Sequence, residues 1–214
     1  MKDIIKEALD TLKKESSERK FTQSVDVVVT LRDLDLTDSN QQVEFFARLP
    51  HGIGRKQTVV ALVGPELEEE AKEVVDLVIT KDKFSDYKDK AKDLAKEYDF
   101  FIAQSDVMPQ VATTFGRYLG PRGKMPNPKL GSVLTAKSKV KPVYERLQNQ
   151  VKIKAKNNPM IQAKVGDQSM KDEELIENIT QIYNQIITNL PREKSNLKEF
   201  KIKYTMSKPV TVNV

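Results

Sequence analysis

Hydrophobic residues near both ends of the chain recur every three or four positions, which is typical of amphipathic helices. The first of these segments spans residues 2–15, and the second follows Ser169, the predicted N-cap, and extends to Leu190. Alternation of apolar and polar residues predicts strands over residues 24–31, 43–49, 151–156, 160–165 and 200–206. We expect the third and fourth of these strands to pair as a hairpin through the turn Asn157-Asn158-Pro159.

The middle of the chain has a different pattern, in which short apolar segments alternate with helix-like segments. The apolar segments, which are typical of buried strands, are residues 58–63, 76–80, 100–104 and 131–135. Helices are predicted over residues 66–75, 83–98, 105–120 and 142–148. Buried strands that alternate with helices indicate βαβ units and a parallel sheet.

Together the two patterns predict a mixed α/β protein in which one domain is inserted into another. Both ends have antiparallel strands with helices on one side, so we expect residues 1–52 and 150–214 to form a single outer domain. Residues 53–149 would form the inserted, parallel domain. Gly52 and Gly54 at the first crossing and Asn149 at the second are the predicted hinge residues.

Charge is unevenly distributed along the 214 residues. Residues 107–166 contain twelve Lys or Arg residues and one acid, Glu145, whereas the rest of the chain has six more acids than bases. The net charge of +5 therefore combines a strongly basic region with an acidic remainder. Such segregation indicates a polyanionic partner.

Composition excludes several classes of function. The chain has no cysteine and one histidine, His51, which excludes disulfides, thiol nucleophiles and the common zinc sites. No segment approaches the roughly twenty apolar residues that span a bilayer. Most acids interleave with lysines on charged helices, and no catalytic constellation is found. We therefore expect a soluble intracellular protein that is not an enzyme and has neither cofactor nor metal.

Two predicted strands place lysines on one face. Lys152, Lys154 and Lys156 alternate with apolar residues in the first strand, and Lys201 and Lys203 do so in the second. Since helices cover one side of the sheet, the open side would be basic, as it is in RNA-binding sheets. An ordinary solvated sheet face explains the same pattern. Neither strand places an aromatic residue on its basic face, so RNA recognition would depend on backbone and shape.

The segment GRYLGPRGKMPNPK, residues 116–129, contains four basic residues, three prolines, three glycines and no acid. This composition predicts a rigid cationic loop, for which a purely structural role is the alternative. The segment is not a Walker A loop, because Tyr118 stands where the first glycine is needed and Met125 follows Lys124. Residues 52–54 also lack the third glycine of a dinucleotide-binding motif.

Three motifs together resemble one known family over nearly the whole chain: GRYLGPRGKMPNPK, LPHGIGRK and KFTQSVDVVV. The family is that of the large-subunit ribosomal protein "L one" (uL-one), in its archaeal form. The resemblance implies a split βαβ domain, formed by both chain ends, with an inserted Rossmann-like three-layer α/β/α domain. It also implies a cytoplasmic protein, monomeric when free, that binds the mobile stalk of large-subunit rRNA. Release of exit-site tRNA and repression of its own mRNA are the further implied roles.

Carried over motif by motif, the resemblance implies RNA contacts at the first strand and near the C-terminus, to which we add two lysines of the basic strand. The predicted rRNA- and mRNA-binding residues are Lys20, Phe21, Thr22, Ser24, Asp26, Lys152, Lys154, Thr205, Met206 and Ser207. Hydroxyls and a carboxylate can bond ribose 2′-hydroxyls, while Phe21 and Met206 can pack on sugars or bases. A core position at the start of the strand is the alternative for Phe21.

Two positions depart from the family's pattern, which often has Glu at Asp26 and usually Gly at Ser207. Glycine would permit a close backbone approach that a serine impedes. An auxiliary contact with rRNA or exit-site tRNA is expected from Arg117, Arg122, Lys124 and Lys129. Two alternatives to a ribosomal protein are a free RNA-binding translational repressor and a nucleotide-dependent enzyme built on the inserted domain.

Overall fold

A computed structural model describes residues 1–38, 41–128, 131–135, 138–156 and 158–213. Its helices and strands in chain order are α1 (Lys2–Glu15), β1 (Ser24–Leu31), β2 (Val43–Arg48), β3 (Val59–Val63), α2 (Glu68–Val74), β4 (Leu77–Thr80), α3 (Ala91–Glu97), β5 (Phe100–Gln104), α4 (Met108–Arg122), β6 (Val133–Leu134), α5 (Val140–Gln148), β7 (Gln150–Ala155), β8 (Met160–Asp167), α6 (Asp172–Asn189), β9 (Leu197–Tyr204) and β10 (Val210–Thr211). Within the described ranges, no helix combines the length and the apolar character needed to cross a membrane.

The chain forms two compact units. Met1–Arg55 and Asn149–Val214 make up the first, which we name the outer unit, and Lys56–Gln148 make up the second, the inserted unit. The outer unit thus combines segments from both ends of the chain.

The outer unit is built on an antiparallel sheet with the strand order β10-β9-β1-β8. Along the central strand β1, Val25, Val27 and Val29 are fully buried, and the side chains between them are half-buried. The buried face belongs to one hydrophobic core that also includes Leu9 of α1 and Ile179 of α6. Both helices therefore lie on one side of the sheet, and the other side carries the polar residues of β1.

The two strands that were predicted to form a hairpin lie in different ladders, so that prediction is wrong. β7 pairs antiparallel with β2, and β8 pairs with β1. Glu44 of β2 lies opposite Lys154, and Phe46 lies opposite Lys152. Opposite charges on facing strands favour this distant pairing. Asn157 of the predicted turn lies outside the described residues.

The inserted unit is a parallel sheet in the order β4-β3-β5-β6. Every residue of β3 is buried, which is expected for a strand covered on both faces. Val60 and Leu62 belong to a core shared with α3 and α4, and the residues that alternate with them belong to a core shared with α2 and α5. Helices on both sides of a parallel sheet make three layers. The predicted mixed α/β fold class is therefore confirmed.

One predicted helix of the inserted unit is only half helical. Residues 83–98 were expected to form a continuous helix, but α3 covers Ala91–Glu97 and is preceded by turns. Phe84 is buried, and its ring lies edge-on to Phe115 with the ring centroids 5.5 Å apart. Packing of this ring into the core directs the chain inward where the charged pattern alone indicated an exposed helix.

Helix α4 is longer than predicted and includes half of the supposed cationic loop. The helix was expected to end at Gly120, but it continues through Pro121 to Arg122. It ends at Gly123, whose φ of 64° is in the left-handed region that glycine adopts readily. The backbone N–H groups of Gly123 and Lys124 donate to the carbonyls of Gly120 and Leu119 at 2.9 and 3.0 Å. Residues 116–122 are consequently helical.

Candidate nucleic-acid interface

Strand register brings together residues that are far apart in the sequence. Because β1 lies between β8 and β9 and runs antiparallel to both, its first residues lie beside the last residues of its two neighbours. Ser24 is opposite Asp167 on one side, and Val25 is opposite Tyr204 on the other. The predicted residue Ser24 at the start of β1 therefore meets Thr205, which follows β9. We name the group Lys20, Phe21, Thr22, Ser24, Thr205, Met206 and Ser207 the strand-end surface.

Hydrogen bonds connect the two halves of the strand-end surface. Ser24 and Thr205 are joined three times: the Ser24 N–H donates to Thr205 Oγ1 at 3.1 Å, the two hydroxyls are 2.9 Å apart, and the Thr205 N–H donates to the Ser24 carbonyl at 3.1 Å. These contacts hold both hydroxyls at the surface of the sheet end. Fixed hydroxyls suit the recognition of ribose groups.

Two large apolar side chains of this surface are exposed. Phe21 is 51% exposed and Met206 is 58% exposed, and Lys20 and Thr22, the neighbours of Phe21 in the chain, are exposed as well. The alternative of a core position for Phe21 is therefore wrong. An exposed ring and a thioether among hydroxyls and a lysine can stack on bases or sugars while the lysine contacts phosphate.

Ser207 closes the turn after β9 with its side chain. Its hydroxyl accepts the N–H of Tyr204 at 2.9 Å and donates to the carbonyl of Lys208 at 3.0 Å. Positive φ angles outside glycine occur, in the described ranges, at Asp33 and Glu193, so Ser207 has no need of glycine's conformational freedom. The serine departure from the family pattern is thus accommodated by a specific hydrogen-bonding role.

Asp26 lies between two lysines on the polar face of the sheet. Its register partners are Lys164 on β8 and Lys203 on β9, and together they line a shallow depression with Val28 and Gln162. Partial burial raises the pKa of Asp26, and the two lysines oppose that effect. Lys164 was not among the predicted contacts, although its alternation with Ile161, Ala163 and Val165 is visible in the sequence. A carboxylate between two cations can accept a hydrogen bond from a ribose hydroxyl while the cations contact phosphates.

The lysine face of β7 is partly neutralised by β2. Lys152 Nζ lies 2.9 Å from Glu44 Oε1, and Lys156 Nζ lies 2.6 Å from Glu44 Oε2. These two charged hydrogen bonds lower the pKa of Glu44 to about 2. Phe46 also reaches this face, with its ring centroid 5.7 Å from Lys152 Nζ. Lys154 is exposed, so it is better placed than Lys152 for a phosphate.

The basic residues predicted for an auxiliary contact lie in the inserted unit. Arg117 and Arg122 are exposed on α4, and Lys124 follows the helix half-buried. Two of them are held by backbone carbonyls: Arg122 Nη1 donates to Lys92 at 3.1 Å, and Lys124 Nζ donates to Tyr98 at 2.6 Å. Lys129, the fourth predicted residue, lies outside the described residues.

The predicted hinge residues have defined contacts within the outer unit. Gly52 has a φ of 64°, and its carbonyl accepts the side-chain amide of the fully buried Asn178 at 2.8 Å. Gly54 has a φ of 81°, and a Cβ there would lie 2.3 Å from a carboxylate oxygen of Asp167. The carbonyl of Asn149 accepts the N–H of Leu49 at 2.8 Å. Their role as hinges stays a prediction.

Two polar side chains link the outer unit's connecting segments to its helices and strands. His51 Nε2 is 2.8 Å from Glu177 Oε2, so this histidine joins the segment after β2 to α6. Ser169, the predicted N-cap of the long helix, instead donates to Asp167 at 2.6 Å, and the helix begins at Asp172 with Lys171 as its N-cap. The Ser169 prediction is therefore wrong, because the nearer carboxylate captures the hydroxyl.

A buried glutamine that the sequence reasoning missed organises the strand-end surface. Gln23 is 1% exposed, between the exposed Thr22 and the half-buried Ser24. Its side-chain Oε1 accepts the N–H of Met206 at 3.0 Å, and its backbone pairs with Gln168. The available signal was its position: alternation along β1 assigns Gln23 to the buried face with Val25 and Val27.

In the inserted unit, a buried glutamine lies where parallel α/β sheets usually bind nucleotides. In a parallel sheet of this order, β3 continues to β4 on one side and β5 lies on the other, so the usual ligand crevice is at the ends of β3 and β5. The side chain of Gln104 is buried there, and its Oε1 accepts the N–H of Gly64 at 2.8 Å. A phosphate would have to displace this amide.

The chain resembles archaeal ribosomal proteins along almost its entire length. Residues 12–208 match the Ribosomal protein L1p/L10e family. Similar proteins, each named large ribosomal subunit protein uL1, occur in Pyrococcus abyssi (37% identity, 97% of this chain and 94% of the relative), Methanosphaera stadtmanae (37%, with 99% of each covered) and Methanobrevibacter smithii (39%, 99% and 100%). Identity of this extent over whole chains confirms the resemblance carried by the three sequence motifs. The chain is a member of the ribosomal protein L1 family, of the type found in archaea.

Proposed function

We propose that this protein is the uL1 protein of the large ribosomal subunit and binds the stalk of large-subunit rRNA through the strand-end surface. The observation that carries the proposal is the hydrogen bonding of Gln23 and Ser24 to Met206 and Thr205 at one end of the sheet. These bonds bring the exposed segment that carries Lys20 and Phe21 to the same end of the sheet as the turn that carries Met206. Asp26, Lys164 and Lys203 extend the same surface along the open sheet face.

The family consists of ribosomal proteins and not of enzymes, which confirms that the chain is not an enzyme. A nucleotide-dependent reaction on the inserted unit is therefore set aside. Association with large ribosomal subunits distinguishes a ribosomal protein from a free translational repressor. We expect the purified protein to cosediment with large subunits at moderate salt, which a repressor without a ribosomal role would not do.

Further roles use the same surfaces. An RNA that mimics the stalk would occupy the strand-end surface, so we propose that a fragment of the protein's own mRNA competes with stalk rRNA and that this competition represses translation. Arg117, Arg122, Lys124 and Lys129 would give the auxiliary contact with exit-site tRNA during its release. The protein would act as a monomer before assembly, and in the cytoplasm within the large subunit afterwards.

The central experiment measures the affinity of the whole chain for a stalk-rRNA fragment at one fixed salt concentration. Phe21→Ala and Met206→Ala should each weaken binding by about tenfold, since a stacking contact contributes roughly 1–3 kcal/mol. Met160→Ala is the matched control, because Met160 is also exposed, at 39%, and lies opposite Thr30 toward the other end of β1. The proposal would be refuted if the wild-type protein did not bind the fragment, or if Met160→Ala lowered the affinity as much as the two variants do.

A further inference from the structure

We infer that Gln23 is a positioning residue for RNA binding, which acts by holding the turn of residues 205–207 in the conformation that presents Met206. The inference rests on the proposed function of the strand-end surface. Gln23 has almost no exposed surface, so it would affect RNA binding without touching the RNA.

Gln23 joins three segments that are distant in the sequence. Its side-chain Oε1 accepts the backbone N–H of Met206 at 3.0 Å, across 183 positions. Its backbone N–H donates to Gln168 Oε1 at 3.2 Å, across 145 positions, and its carbonyl accepts the Gln168 N–H at 3.0 Å. The start of β1, the end of β8 and the end of β9 are thus connected through one residue.

Hydrogen bonds hold residues 167–169, which end β8 and follow it, in a fixed conformation. Asp167 is buried, and its Oδ1 accepts both the N–H and the hydroxyl of Ser169, at 3.0 and 2.6 Å. Gln168 lies between these two residues, so its backbone has little freedom. The double hydrogen bond with Gln168 therefore fixes the backbone of Gln23 and, through it, the direction of the Gln23 side chain.

Met206 needs such a support because packing does not supply one. Its side chain is 58% exposed, so the position of the thioether depends on the backbone of the turn. Thr205 is held by Ser24 and Ser207 by Tyr204, whereas the backbone N–H of Met206 is held by the Gln23 side chain. Removing that acceptor leaves the partly buried N–H without its protein partner, and the turn loses the bond that fixes it to β1.

The test is a double-mutant cycle between Gln23→Met and Met206→Ala, with affinity for a stalk-rRNA fragment as the measurement. Methionine has nearly the volume of glutamine but lacks the amide acceptor. Gln23→Met should weaken binding by about tenfold. Met206→Ala should cost much less in the Gln23→Met background than in the wild type, because the thioether is already misplaced. The salt dependence of binding should be unchanged, since no cation is removed.

Gln185→Met is the control for a merely structural effect. Like Gln23, Gln185 belongs to the outer unit and its side-chain amide binds the backbone of a distant strand. Its Oε1 accepts the Arg48 N–H at 3.1 Å, and its Nε2 donates to the Arg48 carbonyl at 2.9 Å. It lies away from the strand-end surface, on α6. We expect this variant to lower the melting temperature and to leave RNA affinity within about twofold of the wild type.

Several outcomes would overturn the inference. One is that Gln23→Met binds the fragment as tightly as the wild type. Another is that the losses of affinity in the double-mutant cycle are additive. The third is that Gln185→Met loses as much affinity as Gln23→Met. If circular dichroism shows that Gln23→Met does not fold, the cycle is repeated with Gln168→Ala, a change at an exposed residue, and additive losses there overturn the inference equally. Failure of the wild type to bind the fragment would refute the proposed function and this inference together.

Discussion

Gln57 and Gln148 are joined by reciprocal hydrogen bonds across 91 positions of the chain. The backbone N–H of Gln57 donates to Gln148 Oε1 at 2.8 Å, and Gln148 Nε2 donates to the Gln57 carbonyl at 2.8 Å. The Gln57 side chain, which is buried, donates in turn to the carbonyls of Gln148 and Leu147 at 2.9 and 3.1 Å. The first and last segments of the inserted unit are therefore tied to each other.

Replacing Gln57 with methionine should destabilise the inserted unit. The change removes the donor to the Leu147 carbonyl, in a buried bond, and to the Gln148 carbonyl, in a partly buried one, and an unsatisfied buried group costs about 1–3 kcal/mol. Hydrogen exchange of the β3 and β5 amides in the whole chain measures this loss. Gln110→Met, at an exposed position of α4, is the control and should change exchange little. Equal protection in both variants would contradict the role of this pair.

Ser207→Ala should lower the stability of the outer unit by about 1 kcal/mol, because it removes the hydroxyl that accepts the N–H of Tyr204. Ser195→Ala is the matched control, since Ser195 is exposed and contributes its backbone carbonyl, not its hydroxyl, to the bond with Arg32. Denaturant unfolding of the two variants and the wild type supplies the comparison. A wild-type midpoint in Ser207→Ala would show that the turn does not need the serine.

Glu44 should contribute stability that depends on pH. Its folded-state pKa of about 2 is below its ordinary value of 4.5. The contribution is therefore fully present above pH 4.5 and is lost as the pH falls from 4.5 toward 2. Because Glu44 and its partners Lys152 and Lys156 are partly exposed, we expect these ion pairs to add at most about 1 kcal/mol to the free energy of unfolding.

Glu44→Gln is the variant that tests this contribution. Its free energy of unfolding should be below that of the wild type at pH 7, and the two should converge near pH 2. Glu173→Gln, at an exposed position of α6, should show no such convergence. A difference between wild type and Glu44→Gln that is constant across this pH range would contradict the assignment.

Lys154 and Lys152 should contribute unequally to RNA binding. Lys154→Ala should weaken affinity and reduce the slope of log K against log salt by about 0.7–0.9, the value for one phosphate contact. Lys152→Ala should have a smaller effect, because Lys152 is already paired with Glu44 at 2.9 Å. The two variants are each other's control, since the lysines lie on the same face of β7. Equal slopes for both would mean that RNA displaces the Glu44 pair.

Neutralising two exposed arginines of α4 should separate the two RNA contacts. In the Arg117→Gln, Arg122→Gln variant, affinity for the stalk-rRNA fragment should fall by less than about threefold, a small loss on a scale where tenfold is 1.4 kcal/mol. Affinity for tRNA should fall further, and Lys81→Gln, at an exposed cation elsewhere in the inserted unit, should change neither. A collapse of stalk binding would overturn the proposed division between the two units.

Local pattern was enough to locate most helices and strands. The apolar spacing in α1 and α6 and the alternation in β1 and β9 correspond to the structure, because periodicity reports which face of an element is buried. Where a distant contact overrode the pattern, the prediction was wrong. Phe84 shortened one helix by entering the core, and Gly123, not Gly120, ended another.

The sequence by itself determined the mixed fold class, the segregation of charge and the family, since each depends on residue types and their spacing. Tertiary structure alone decided the partner of β7, the neutralisation of Lys152 and the meeting of Ser24 with Thr205. Strand register and partner choice are set by contacts between residues more than a hundred positions apart, and periodicity carries no information about them. For the same reason Gln23 became visible as an organising residue only in the folded chain.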